Sequence, residues 1–333
     1  MKTLITGATG FIGSHILDAC IERGDSVRIL ARRTSVGIDK LKGRVEIAYG
    51  DISDYDSVIK ACEGMELVFH SAGVVSDWAP YELFYKVNVE GMENICRASV
   101  AAGIKRFIWT STNDVFGRRE DTVINESLPL EKWNEPYPDT KIMAEEVAWR
   151  YHREKGLAVS TVYPLWVYGP RDTTFVPLLA DAIIKKDMVF WQYGTICWPT
   201  YIGNLVDLLM LISTNDKSIG QGYLVHDGEL TTLEDFCRGI ASAMNVELVE
   251  KRLSYPVAYA AAMAMEASYK FLKRSKRPLL TTYSVKNLGS RLKFSTHKAE
   301  DELGWKPKTS FREGFKITME WLKTQDIDKL KQK

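Results

Sequence analysis

The sequence predicts a doubly wound parallel α/β sheet joined to a smaller mixed α/β lobe, and three observations carry that prediction. Short, continuously apolar runs alternate with helix-like segments through the first half, the mark of a parallel sheet covered on both faces. A glycine cluster follows the first run directly and opens the first helix. Beyond Gly169-Pro170 the rhythm changes: elements shorten and aromatic residues accumulate.

Taken in order, residues 2–6 form a short apolar strand and residues 14–23 a helix closed by Gly24. Apolar runs at 27–31, 45–49, 67–71 and 106–111 read as the next four strands, with a long helix over 81–102 before the last. A helix at about 139–155 leads to a sixth strand at 159–163. Residues 1–169 are therefore expected to form the Rossmann-type dinucleotide-binding domain, and 170–333 a substrate-binding lobe interleaved with it. No internal repeat or low-complexity tract stands out.

The 333 residues supply ample core, and a net charge of +1 gives no pull toward nucleic acid, so no such partner is expected. Cys20, Cys62, Cys96, Cys197 and Cys237 are odd in number and spread out, which argues against disulfides or a metal site and for a reducing cytoplasm. Met1 leads almost directly into the first strand, leaving no room for a signal peptide. The apolar stretch 256–272 is broken by Glu266 and Lys270 and falls short of the ~20 residues that cross a bilayer. Lys273, Arg274, Lys276 and Arg277 follow it. The first reading is a helix packed on the domain with a solvated basic turn. The alternative is peripheral contact of 256–277 with an anionic membrane surface.

Gly7, Gly10 and Gly13 stand at G-x-x-G-x-x-G spacing between strand and helix. Glycine there permits a tight turn and close approach of a pyrophosphate to unpaired helix N–H groups, so a dinucleotide is expected. At the end of the second strand, Ala31 stands where an acidic residue would hold NAD ribose hydroxyls, and Arg32 and Arg33 follow. A guanidinium suits a 2′-phosphate, which favours NADP(H) and leaves NAD(H) as the alternative. Asp51, before Ile52, either accepts a hydrogen bond from adenine or caps the helix starting near Asp54.

Tyr137 and Lys141 are four positions apart at a helix start, hence on one face. A neighbouring ammonium lowers a phenol's pKa, which would make Tyr137 an acid/base near neutrality, and the lysine also reaches a nicotinamide ribose. The hydroxyl run Thr110-Ser111-Thr112 ends the fifth strand, where such sheets place ligands.

With Asn88-Val89-Glu90-Gly91, Val115-Phe116-Gly117, Pro164 with Val167-Tyr168-Gly169-Pro170, and Gly304-Trp305-Lys306-Pro307, the chain resembles the extended short-chain dehydrogenase/reductases along nearly its whole length. The resemblance implies that Tyr137 is the acid/base, Lys141 its electrostatic and ribose partner, and Thr112 the hydroxyl orienting the substrate oxygen. It implies that Asn88 supports a proton relay behind the lysine and that Pro164 and Val167 meet the nicotinamide carboxamide. Thr9, Phe11, Ile12, Ile52 and Ala72 join the cofactor contacts. Family members commonly dimerise through the two long helices, so a homodimer is expected. Tyr163 replaces the arginine that often precedes this proline.

Within the family the run Trp198-Pro199-Thr200-Tyr201-Ile202-Gly203-Asn204 looks like the 3β-hydroxysteroid dehydrogenase, 2-alkyl-3-oxoalkanoate reductase and dihydroflavonol reductase branch. Pro199 stands where nucleotide-sugar enzymes tend to carry a diphosphate-gripping arginine. Asn113 and Asp114 stand where sugar 4,6-dehydratases carry Asp and Glu, and an asparagine donates no acid proton. A secondary alcohol/ketone oxidoreductase for an apolar small molecule is the expectation, a nucleotide-sugar epimerase or dehydratase the alternative, and a non-catalytic dinucleotide sensor a third. Trp78, Asn113, Trp166, Phe175 and Tyr201 are candidate substrate contacts, with Trp191, Tyr193 and Trp198 nearby in the chain; core packing competes for each aromatic. Asp77 reads as a loop cap or a substrate contact.

Overall fold

The computed structural model describes residues 1–191, 194–274 and 276–327; the expectation for Tyr193 falls outside them, as does Ser275 within the basic stretch. Seven parallel strands form the central sheet: β1 (Lys2–Thr6), β2 (Ser26–Ala31), β3 (Glu46–Tyr49), β4 (Leu67–His70), β5 (Arg106–Thr110), β6 (Val159–Pro164) and β7 (Gln221–Val225). Their order is β7-β6-β5-β4-β1-β2-β3. The chain winds outward from β1 to β3, then crosses to β4 and winds the other way. The reversal beside β1 opens a crevice at the strands' carboxyl ends, where ligands bind. Every residue of β4, β5 and β6 is buried, as expected of strands covered on both faces.

Helices cover both faces. On one side α1 (Phe11–Glu22) packs its Ile16, Leu17 and Cys20 with Leu205, Leu208 and Leu209, which belong to the helix Ile202–Ile212. On the other side lie α2 (Tyr55–Cys62), α3 (Gly91–Ala101) and α4 (Pro136–Lys155), meeting over Val58, Met92, Ile95 and Ala144. The turn Tyr81–Phe84 and a π-helical segment Tyr85–Glu90 run into α3. α4 begins at Pro136, earlier than residue 139, because a proline at the first helical turn loses no needed N–H. It ends at Gly156, φ +69°.

The sheet is not confined to residues before Gly169. β6 is buried on both faces and pairs with β7, so the chain leaves for the lobe and returns with Ile202–Ile212 and β7. The lobe has its own aromatic core of Tyr168, Val176, Phe190, Phe236 and Leu322. Two further helices, Tyr255–Phe271 and Thr282–Leu288, pack on each other across Ala258, Ala262 and Val285. Among the described residues no helix is long and apolar enough to cross a membrane, and the five cysteines are buried and free.

Candidate active site

The glycine loop is shaped for close approach. Gly7 takes φ +76°, and a Cβ there would stand 2.7 Å from Ala72 N; a Cβ on Gly13 would stand 2.2 Å from the Gly7 carbonyl oxygen. Gly10 caps α1 without a side-chain bond, and the first turn carries no acid, so its N–H groups and dipole face outward for an anion. Thr9, Phe11 and Ile12 lie on this loop and first turn, and Ala72 closes the loop's other side through its N–H to Thr6 Oγ1 at 3.3 Å. The cradle fits a dinucleotide pyrophosphate.

Arg32 and Arg33 are exposed just past β2, Arg33 stacked 4.3 Å over the Tyr49 ring. Asp51 accepts from Ser53 N at 2.9 Å and Ser53 Oγ at 2.8 Å, whereas the cap of α2 is Asp54, which accepts from Asp56 N. Of the two readings of Asp51, the cap therefore belongs to Asp54. Ile52 is buried against Gly91. Pro164 ends β6, and Val167 lies in the short strand Trp166–Tyr168 paired with Pro199–Tyr201.

Thr112, Tyr137, Lys141 and Asn88 are all buried. Thr112 Oγ1 accepts from Asp114 N at 3.3 Å, and the Thr112 hydroxyl favours the ionised form of the Tyr137 phenol. Lys141 Nζ donates to the Thr110 carbonyl at 3.1 Å and lies 4.4 Å over the Trp109 ring. Asn88 accepts from Val74 N at 2.8 Å and donates to Thr140 Oγ1 at 3.2 Å, tying the loop after β4 to the first turns of α4. Its place in a π-helical segment is typical of functional positions.

The expected lowering of the phenol by Lys141 does not hold in this arrangement. Burial and then the Asp114 carboxylate push Tyr137 up, opposed by Thr112. Burial pulls Lys141 down to about 8, and Glu145 opposes that fall. Glu145, wholly buried one turn along α4, is itself pushed up by burial to about 7. Tyr163 donates to it at 3.3 Å and Trp149 Nε1 at 2.6 Å, so the residue that replaces an arginine bonds the carboxyl beneath the lysine.

A cavity of about 520 Å³ opens against this cluster, lined by Tyr137 with Trp78, Tyr81, Phe84, Tyr269 and Tyr283. That volume lies in the ~300–1,000 Å³ range of small-molecule sites. Asp77 also lines it, but its carboxylate is taken by Arg277 at 2.7 Å and Thr281 Oγ1 at 2.8 Å, joining the loop after β4 to the segment before Thr282. Trp78 meets Tyr269 edge-on at 6.2 Å. Lys270, Lys273 and Arg274 form part of the lining.

The other aromatic candidates lie elsewhere. Trp166 packs edge-on to Phe175 at 5.2 Å, Phe175 lies against Phe236, and Tyr201 against Tyr168; all three candidates belong to the lobe's core, not to this cavity. Asn113 is buried in the short turn Asn113–Phe116 and does not line it. Residue type alone does not separate a core aromatic from a pocket one. Sequence reading missed Tyr283, Tyr269 and Glu145. Glu145 carried a signal, four positions past Lys141 on the same helical face; the two tyrosines carried none.

Residues 3–225 match the NAD dependent epimerase/dehydratase family. The chain belongs to that family. It is 27% identical to a 2-alkyl-3-oxoalkanoate reductase of Stenotrophomonas maltophilia, over 95% of this chain and 98% of that one. It is 26% identical to a 3-beta-hydroxysteroid dehydrogenase of Mycolicibacterium neoaurum, over 92% and 87%. The crystal structure of gox2253 superposes with a TM-score of 0.80 at 28% identity, covering 96% of this chain and 97% of that one. A UDP-glucose 4-epimerase of Thermotoga maritima, at 22% identity and a TM-score of 0.78 over 97% and 98%, shares the fold. The protein is thus an enzyme of the extended short-chain dehydrogenase/reductase type, built on a Rossmann sheet for a nicotinamide dinucleotide.

Proposed function

We propose that the enzyme interconverts a secondary alcohol and a ketone on an apolar, steroid-, lipid- or flavonoid-like small molecule, using NADP(H) in preference to NAD(H). The observation that carries this reading is the aromatic cavity with the Tyr137 phenol in its wall. Its resemblance to reductases of alkyl-oxoalkanoates and hydroxysteroids supports the same substrate class. Pro199, where a sugar-diphosphate enzyme would carry an arginine, is buried in a strand and offers no charge, which argues against the epimerase or dehydratase alternative. Arg32 and Arg33 beside Ala31 support the 2′-phosphate preference.

When bound, the dinucleotide supplies a hydride at nicotinamide C4 or accepts one there. Gly7, Gly10 and Gly13 would admit its pyrophosphate, and Lys141, held at the end of β5, would hold its ribose. Thr112 and Tyr137 hold the substrate oxygen, and Tyr137 exchanges the proton on that oxygen. Asn88 locks α4 to the loop after β4, so that both sides of the site keep their spacing.

The helix Tyr255–Phe271 exposes Val257, Met263 and Phe271 next to Lys270, Lys273 and Arg274, which suits peripheral contact of 256–277 with an anionic membrane surface near the cavity mouth. Flotation with anionic vesicles tests that contact; protein left at the bottom of the gradient removes it. A homodimer through the two long helices is tested by light scattering.

The deciding assay is reduced-dinucleotide oxidation across 3-ketosteroids, long-chain β-keto acids, flavonoid ketones and nucleotide-linked 4-keto sugars. Turnover of an apolar ketone is expected, faster with NADPH. Turnover of the sugars alone would overturn the reading.

A further inference from the structure

We propose that the cavity selects ketones carrying an anionic group, a carboxylate or phosphate, at the end remote from the carbonyl, and that Lys273 and Arg274 hold that group at the rim. This names a substrate class within the ketone-reductase reading and rests on it. The cavity is graded from inside to outside. Tyr137 and Phe84 are buried at its inner end, 8% and 1% exposed, whereas Lys270, Lys273 and Arg274 line it as exposed residues. Aromatic rings line both ends: Tyr283 meets the Tyr137 ring edge-on at 6.1 Å, and Trp78 meets Tyr269 at 6.2 Å. The Arg274 guanidinium lies 5.3 Å over the Tyr269 ring and Lys270 Nζ 5.9 Å over Trp78, so the cations border apolar wall directly.

The acids of the lining are already spent. Asp77 is held by Arg277 at 2.7 Å and by Thr281 Oγ1 at 2.8 Å. Glu135 takes Lys286 at 2.6 Å. Glu266 accepts from Thr282 N at 2.7 Å and Thr282 Oγ1 at 2.9 Å, with Lys270 3.8 Å away. Among the described residues neither Lys273 nor Arg274 forms an ion pair. The rim therefore offers positive charge that no neighbouring acid has claimed.

Both residues follow the helix Tyr255–Phe271, and cations at a helix C-terminus meet its dipole favourably. The dipole accounts for their sign and not for their place on the lining. There the chain reverses: Lys273 takes φ +48°, a backbone that favours glycine, and Lys273 N and Arg274 N bond the Lys270 and Tyr269 carbonyls at 3.1 and 2.9 Å. An ammonium beside a planar guanidinium offers the charge-assisted, forked hydrogen bonds that a carboxylate or phosphate accepts. The carbonyl must reach Tyr137 at the buried end, so the anion belongs at the opposite end of the substrate and not on the carbon beside the carbonyl.

NADPH oxidation with two matched pairs tests this. One is a 3-ketosteroid with a side-chain carboxylate, the other a long-chain methyl ketone with a terminal carboxylate, each against its primary amide. The acid is expected to exceed the amide in kcat/KM by about tenfold, through KM, and the ratio to shrink with added salt because the rim is exposed. In Lys273→Gln/Arg274→Gln the ratio is expected to fall toward unity, and Arg274→Lys to keep part of it. A phosphate ester in place of the carboxylate shows which anion the rim prefers; preference for either over the amide supports the proposal. A wild-type ratio at or below unity overturns it, as does a ratio unmoved in the double variant, and ketone turnover would then leave the reductase reading standing. Calorimetry of the same pairs with the enzyme and NADP⁺ needs no turnover. Tighter binding of the acid, lost in the double variant, with no ketone reduced would sustain the rim site while removing the reductase reading.

Discussion

Replacing Glu145 by glutamine isolates the energetic cost of the carboxyl beneath Lys141. Glu145 is wholly buried, and burial pushes it from 4.5 to about 7 against bonds from Trp149 and Tyr163 and the charge of Lys141. A raised carboxyl binds its proton more tightly when folded than when unfolded. The stability it contributes is therefore fully present below pH 4.5 and lost as pH rises through about 7. At ~1.36 kcal/mol per pH unit, the loss is roughly 3 kcal/mol. Glutamine keeps an acceptor for Trp149 and does not ionise. It also removes the anion that supports Lys141, which offsets part of the gain, so a net of about 2 kcal/mol is expected. Denaturant unfolding of both proteins from below pH 4.5 to above pH 8 reads this directly. The variant should match wild type at the acid end and exceed it at the alkaline end. A difference constant with pH, or growing toward acid, would refute the reasoning.

Tyr137→Phe removes the hydroxyl proposed to exchange the substrate proton and should lower kcat by roughly 10²- to 10⁴-fold. Dinucleotide affinity, read by fluorescence titration, should change little. Arg32→Ala should weaken NADPH binding by about tenfold or more and leave NADH binding nearly unchanged; equal losses would remove the 2′-phosphate role. In Gly13→Ala the new Cβ would stand 2.2 Å from the Gly7 carbonyl oxygen, so the loop must move and affinity for both dinucleotides should fall. Unaltered affinity in calorimetry would mean that the pyrophosphate does not use this cradle.

Much of the site was legible because its signals are local. The strand, the three glycines and the first helix are consecutive, and their spacing alone sets the turn. Tyr137 and Lys141 share a helical face by periodicity, and Thr112 lies two residues past the strand Arg106–Thr110. The expectations that gave way depended on contacts across the chain. The phenol was expected to fall toward neutrality, but burial, which depends on the whole surrounding fold, pushes it up. Trp166, Phe175 and Tyr201 have the composition of a pocket wall, yet the lobe's core claims them.

The sequence by itself determined the order of strands and helices, the dinucleotide cradle, the tyrosine–lysine pair and the family, since each is encoded within one turn, one strand or one motif. Tertiary structure alone decided which aromatics face the cavity and which charges face the phenol. Trp78 meets Tyr269, Asp77 meets Arg277 and Asp114 meets Tyr283 only after helices from the end of the chain fold over the sheet's carboxyl edge. Burial and electrostatics depend on neighbours in space, and the side chains that tune this site come from opposite ends of the chain.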